Sequence, residues 1–251
     1  MNKQFIEFIC KISLVFVIFI FISILLIKRF VYFNPSKHFV SIQENFDIVN
    51  NQHLHGWFLQ NKNSNKVILL CHGNFGNISH KQRKMIEMRN IGYSVLAFDY
   101  SGYGKSKGSP NERNLYDDAS MMVSLLLKTY KHEQIILYGE SLGGPVATYV
   151  ARKYCIPTLI LEGPLPSVKI LIKNKYPILS FIAFLFPEFD TETYLKDYKG
   201  KSLIMHSTED KKIPYSSVQK LIDLCSQHIQ IKGLHNDPVI PWEKVKIFIE
   251  S

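Results

Sequence analysis

Ser141 stands at the centre of Gly139-Glu140-Ser141-Leu142-Gly143, and its neighbours indicate what it could do. A serine hydroxyl becomes a nucleophile when a base accepts its proton and a third group orients that base. The spacing Gly-x-Ser-x-Gly, after a strand and before a helix, places a serine on a strained turn with its oxygen exposed. The preceding residues, Ile135-Ile136-Leu137-Tyr138, read as a buried strand, and Pro145 to Tyr154 reads as a helix. Glycines at 139 and 143 carry no Cβ, so that helix can pass close to the strand. Its N-terminus favours developing negative charge. The bland alternative is a glycine-rich turn with an incidental serine; the strand and helix around it favour the nucleophile.

Nine histidines compete for the role of base. His235, in Gly233-Leu234-His235-Asn236-Asp237, lies in a turn between the last strand and the last helix. His228 starts a strand and His206 ends one, so both read as structural. The acid should fall between serine and histidine in the chain. Asp210, a few residues past the strand Ser202 to Met205, meets that order, while Glu209 and Glu162 are alternatives. Asp237 reads as a cap for the last helix. An oxyanion formed at the site needs two backbone N–H donors. Leu142, the residue after the serine, supplies one. The other is assigned to Asn74, with Phe75 as alternative, in His72-Gly73-Asn74-Phe75-Gly76-Asn77, where glycines let the backbone approach closely. His72 reads as a loop anchor and Cys71 as core. Asp99-Tyr-Ser-Gly-Tyr-Gly-Lys-Ser-Lys-Gly108 invites a phosphate-loop reading, but Asp99 stands where that pattern needs glycine, so Asp99 is read as turning the chain.

The elements that must position these groups alternate. Phe39 to Val49 and His53 to Gln60 read as a hairpin turning near Asn50-Asn51. Val67 to His72 and Tyr93 to Phe98 are short continuous apolar runs of the kind buried on both faces of a sheet. Helical patterns fall at Ser79 to Asn90, Asn111 to Tyr130, Tyr215 to Ser226 and Pro238 to Glu250. On the second, Leu115, Ala119, Met122, Val123 and Leu126 form one stripe. With strands at Thr158 to Leu161, Ser202 to Met205 and His228 to Ile231, the pattern predicts an α/β fold: a mostly parallel, eight-stranded sheet flanked by helices. Residues 163–200 form a longer insert, broken by Pro177 and Pro187, that reads as a small lid or as a packing helix.

Residues 12 to 27 carry no charge and are bounded by Lys11 and Lys28-Arg29. No small-x-small cleavage site follows, so an uncleaved, single-pass N-terminal membrane anchor is expected over residues 1–34, with one domain over 35–251. Flanking charges leave its orientation open. The formal net charge of +9 is spread along the chain without a basic block interleaved with aromatics, which argues for an anionic membrane surface and against nucleic acid. Four cysteines show no metal spacing, and reduced, buried thiols are expected.

The motifs around His72, Asp99, Ser141, His206 to Asp210 and Gly233 to Asp237 occur in the order found in α/β-hydrolases. Over residues 39 to 250 the chain is similar to single-pass, membrane-anchored members of that superfamily, some of which remove palmitoyl groups from proteins. The resemblance implies a Ser141–Asp210–His235 triad and no cofactor or metal. Ser207 departs from it, since related sequences often have glycine there. The expected function is a membrane-tethered serine hydrolase acting on an ester or thioester, with a small-molecule or acylated-protein substrate. A serine peptidase with the same triad and a non-catalytic membrane scaffold are the alternatives.

Overall fold

The computed structural model describes residues 3–31, 36–41, 46–175 and 177–251. Its helices are α1 (Lys3–Val31), α2 (Gln82–Asn90), α3 (Glu112–Leu126), α4 (Gly143–Lys153), α5 (Val168–Lys175), α6 (Thr191–Lys196), α7 (Gln219–Leu224) and α8 (Trp242–Glu250). Its strands are β1 (Asp47–Asn51), β2 (Leu54–Leu59), β3 (Val67–Cys71), β4 (Ser94–Phe98), β5 (Ile135–Glu140), β6 (Thr158–Glu162), β7 (Lys201–Ser207), β8 (Gln227–Leu234) and β9 (Asp237–Val239). The sheet order is β1-β2-β4-β3-β5-β6-β7-β8-β9. Every pairing from β4 through β8 is parallel; β1, β2 and β9 pair antiparallel at the edges.

The uninterrupted apolar strands are explained by the two cores they divide. Val67, Leu69 and Cys71 of β3 join Leu137 of β5 and the apolar stripe of α3 on one face. Ile68, Leu70, Ile136 and Tyr138 point to the other, with Met85 and Met88 of α2 and Phe248 of α8. All five α3 residues picked out by their spacing are buried. Asn111 caps that helix by accepting from the Asn114 amide at 2.9 Å.

Four expectations need correction. Among the described residues the sheet has nine strands: β9 closes an antiparallel hairpin on β8. Asp237 therefore lies in a strand and does not cap α8, which begins at Trp242. Pro238 conceals β9 from a sequence reading, yet it is tolerated in an edge strand because no inner neighbour needs its missing N–H. The first hairpin turns at Gln52-His53, where Gln52 takes a positive φ of 54°, and β1 starts only at Asp47. Residues 42–45 of the longer strand expected there lie outside the described residues. Among the cysteines Cys71 is buried, but Cys10 and Cys155 are exposed.

The apolar stretch is one continuous helix. The 24 residues Lys3–Leu26 are long and apolar enough to cross a membrane, reaching about 36 Å at 1.5 Å per residue against a hydrocarbon core of about 30 Å. The insert after β6 consists of α5, a 3-10 segment (Pro177–Leu185) and α6. Its two ends are tied together: Val168 N–H donates to Glu188 O at 3.1 Å and Thr191 N–H to Pro166 O at 3.0 Å. Glu112 of α3 accepts from the Glu188 amide at 2.8 Å and the Phe189 amide at 2.6 Å, pinning that base to the sheet's helical layer.

Candidate active site

At the carboxyl edge of the sheet the chain leaves β5 and enters α4 through Ser141, which holds φ of 52°. A side-chain-bearing residue in the left-handed region is strained and persists only when its surroundings hold it. Here the backbone is fully engaged. Ser141 N–H donates to Glu162 O at 3.0 Å, and Ser141 O accepts from the amides of Gly144 at 2.9 Å and Leu165 at 3.1 Å. The flanking glycines are required sterically. A Cβ on Gly139 would lie 2.5 Å from Gly143 O, and one on Gly143 would run into the Cys71 carbonyl.

Two loops bring the other groups to Ser141. After β7, the chain turns at Asp210, whose Oδ1 accepts from the amides of Lys212 at 2.8 Å and Ile213 at 2.9 Å. Its Oδ2 faces His235 Nδ1 at 2.6 Å. Leu234 pairs with Asp237 across the β8–β9 hairpin, so His235 and Asn236 form its two-residue tip. His235 Nε2 lies 2.9 Å from Ser141 Oγ. These distances assign the tautomer: Nδ1–H donates to the carboxylate, leaving Nε2 to accept the serine proton. Burial acts to raise the Asp210 carboxyl, but the hydrogen bond and charge of His235 and the two amides outweigh it and hold the carboxyl below its ordinary range. The side chains of Asp210 and His235 are only 2% and 10% exposed, so little water competes for these bonds.

The other acids take different places. Glu209 accepts from the Gly233 amide at 3.3 Å, bracing the hairpin and not the ring. Glu162 lies beneath the elbow in a buried charge cluster. Lys84 Nζ donates to Glu140 Oε2 at 2.7 Å and to Glu162 Oε2 at 2.6 Å. Lys81 Nζ donates to Glu140 Oε1 and Tyr138 OH to Glu162 Oε2, each at 2.5 Å. Burial acts to lower the Lys84 ammonium, yet the two carboxylates outweigh it and hold it above its usual range. Burial acts to raise the Glu140 carboxyl, but Lys81 and Lys84 outweigh it in turn and hold it well below the usual one. No local pattern in the sequence marks this cluster.

The loop after β3 lies against the elbow. A Cβ on Gly73 would sit 3.3 Å from Ser141 Cβ and 3.1 Å from Glu140 Oε1, a tight fit that glycine relieves, with Asn74 next in the chain. The buried Asn77 anchors the loop, donating to Ser36 O at 2.9 Å and His38 O at 2.8 Å. Leu142 is buried at the start of α4. His72 is fully buried with Nδ1–H donating to Gly73 O at 2.7 Å, and its own carbonyl accepts from Tyr100 OH at 3.0 Å. Asp99 turns its loop by accepting from Lys105 N–H at 3.2 Å, and also ties it to the neighbouring loop through Ile78 N–H at 3.0 Å. His206 is buried and its Nε2–H donates to Ile213 O at 2.9 Å; His228 Nε2 meets Tyr215 OH at 3.3 Å. Gly163, which no sequence pattern singled out, holds φ of 50° beside the His235 ring, a backbone conformation that favours glycine. Among the described residues, no group of three His, Cys, Asp or Glu side chains is placed to hold a metal ion.

Comparison with known proteins bears on this arrangement. A family profile described as "alpha/beta hydrolase fold" matches residues 66–178. An uncharacterized membrane protein of Saccharomyces cerevisiae is 31% identical over 212 residues, covering 78% of this chain and 75% of the relative. The lysophosphatidylserine lipase ABHD12 of Danio rerio is 29% identical over 203 residues, 72% of this chain and 52% of its own. Among solved structures, an alpha-beta hydrolase from Vibrio vulnificus superimposes with a TM-score of 0.63 at 26% identity, covering 76% of this chain and 74% of that one.

Proposed function

Since the chain belongs to the α/β-hydrolase family, we propose that it is a membrane-anchored serine hydrolase cleaving an ester or thioester through an acyl-enzyme. One observation carries this reading: the hydrogen-bonded series Asp210–His235–Ser141, at 2.6 and 2.9 Å, on a strained turn at the carboxyl edge of the sheet. Ser141 Oγ attacks the acyl carbon while His235 Nε2 takes its proton; Asp210 stabilises the imidazolium that results. The amides of Asn74 and Leu142 receive the oxyanion. His235 then returns the proton to the departing alkoxide or thiolate as its bond to the acyl carbon breaks. Water, deprotonated by the same ring, releases the acid and restores Ser141.

The substrate is assigned to the lipid-acyl class, as a small molecule or an acylated protein. The apolar helix α1 and the likeness to a lipase support that assignment. Residues 1–34 serve as a single-pass anchor and residues 35–251 as the catalytic domain. A fluorophosphonate probe tests the reading: it labels the full-length chain, and labelling disappears in Ser141→Ala. Equal labelling of both proteins, or of neither, points to a scaffold. Turnover of esters and thioesters of graded chain length tests the substrate class, and a preference for acetyl over long acyl groups refutes it.

A further inference from the structure

The apolar side chains left in water are unevenly placed. In the 3-10 segment of the insert, Ile178 is 83% exposed, Phe184 73% and Phe181 54%. Phe75, on the loop after β3, and Leu234, beside His235, are also exposed and lie at the same carboxyl edge. Elsewhere on the catalytic-domain surface Val40, Ile48, Leu224, Val239 and Ile247 stand singly on separate segments, as is ordinary for a protein surface. Three large apolar groups exposed within one short segment mark an interaction surface.

The contacts of α1 identify what covers it. Leu25 lines an open groove with Glu112, Arg113 and Asp117 beside Tyr116, Tyr149 and Tyr194, a mixed surface of charges and tyrosines suited to the headgroup level. Nine residues earlier, Phe16 stacks on Phe181 with ring centroids 6.5 Å apart and planes 8° from parallel. At 1.5 Å per residue that separation is about 14 Å along the helix, nearly half of a hydrocarbon core about 30 Å thick. With Leu25 at the headgroups, Phe181 lies within the acyl chains. Lys173 is exposed on α5 just before this segment, and the chain carries a net charge of +9, both suited to an anionic leaflet.

We propose that the insert tip Ile178–Phe181–Phe184 is a second membrane contact, seated in the bilayer that α1 crosses, so that the carboxyl edge of the sheet carrying Ser141 faces the lipid surface. The proposal rests on the hydrolase reading only for its consequence, which is that acyl substrates enter from the bilayer. The docking itself stands on the exposed side chains and the α1 contacts.

Full-length Phe181→Trp, reconstituted in phosphatidylcholine and phosphatidylserine vesicles carrying acyl-chain bromines, reads the depth directly. Its emission should be quenched beyond that of the unsubstituted chain, whose two tryptophans are the buried Trp57 and the half-buried Trp242 held to Glu87, while Ile247→Trp on α8 should add no quenching. Absence of extra quenching in Phe181→Trp overturns the proposal whether or not the protein hydrolyses anything. The triple change Ile178→Ser, Phe181→Ser, Phe184→Ser tests the consequence. It should retain turnover of a water-soluble short-chain ester and lose about tenfold or more on a long-chain ester dispersed in the vesicles. An equal loss on both, in a variant that melts like the unsubstituted chain, refutes entry from the bilayer. Failure of the unsubstituted chain to take the fluorophosphonate probe would instead remove the hydrolase reading and leave the quenching result standing.

Discussion

Replacing Lys84 by Met tests whether the buried charges beneath the elbow act as described. Lys84 stands between Glu140 and Glu162, and the three side chains are 16%, 15% and 4% exposed. Parallel pairing of β5 and β6 sets Glu140 directly beside Glu162, so two carboxylates share one buried corner. Removing one partner of a buried pair leaves uncompensated charge and costs about 3–5 kcal/mol. Lys81 still serves Glu140, which places the cost at the lower end, about 3 kcal/mol, or a fall in Tm of about 6–12 °C for a domain of this size. Circular-dichroism melts of the full-length chain in detergent measure it. The sign of the pH dependence follows from the same picture. In the intact cluster the Glu140 carboxyl is held below its ordinary range, so its contribution is present above about pH 4.3 and is lost as pH falls through the lower folded value. Without Lys84, Glu140 loses one of the two cations that hold its carboxyl low, so the deficit should shrink as the medium is acidified. Lys84→Arg keeps the charge and should recover part of the loss. A Tm within about 2 °C of the unsubstituted protein, with no change in the gap on acidification, would refute the account.

Two further predictions concern the elbow and His235. Asp210→Asn keeps an acceptor for the Lys212 and Ile213 amides but turns an N–H₂ toward His235, so the ring is held in the wrong tautomer; acylation of Ser141 should slow by about 10⁴-fold, and a loss under tenfold in stopped-flow probe labelling would count against the triad. Gly143→Ala forces a methyl group into the Cys71 carbonyl and toward His72 O at 2.9 Å, and overpacking at such a contact costs about 1–3 kcal/mol; a melt unchanged from the parent would show that the elbow is looser than its contacts indicate.

The sequence by itself determined the alternation of apolar strands and helices, the strand–turn–helix around Ser141, and the chain order of serine, acid and histidine, because each is written in local periodicity or in the spacing of residue types. It also marked the uncharged stretch from residue 12 to 27 within α1, whose apolar character needs no tertiary context. It favoured Asp210 by chain order and loop position but left Glu209 and Glu162 as alternatives. That choice depends on where three loops end, and only the sheet order brings Asp210 to the ring while sending Glu162 to Lys84 and Glu209 to the Gly233 amide. Strand β9 was hidden because its pairing partner, not its own composition, makes Asp237-Pro238-Val239 a strand. The Lys81, Lys84, Glu140, Glu162 cluster joins positions 56 to 78 residues apart. Ion pairs of that range have no periodicity in the chain; they form because neighbouring parallel strands force two carboxylates together, and burial then demands a cation from the helix packed above them.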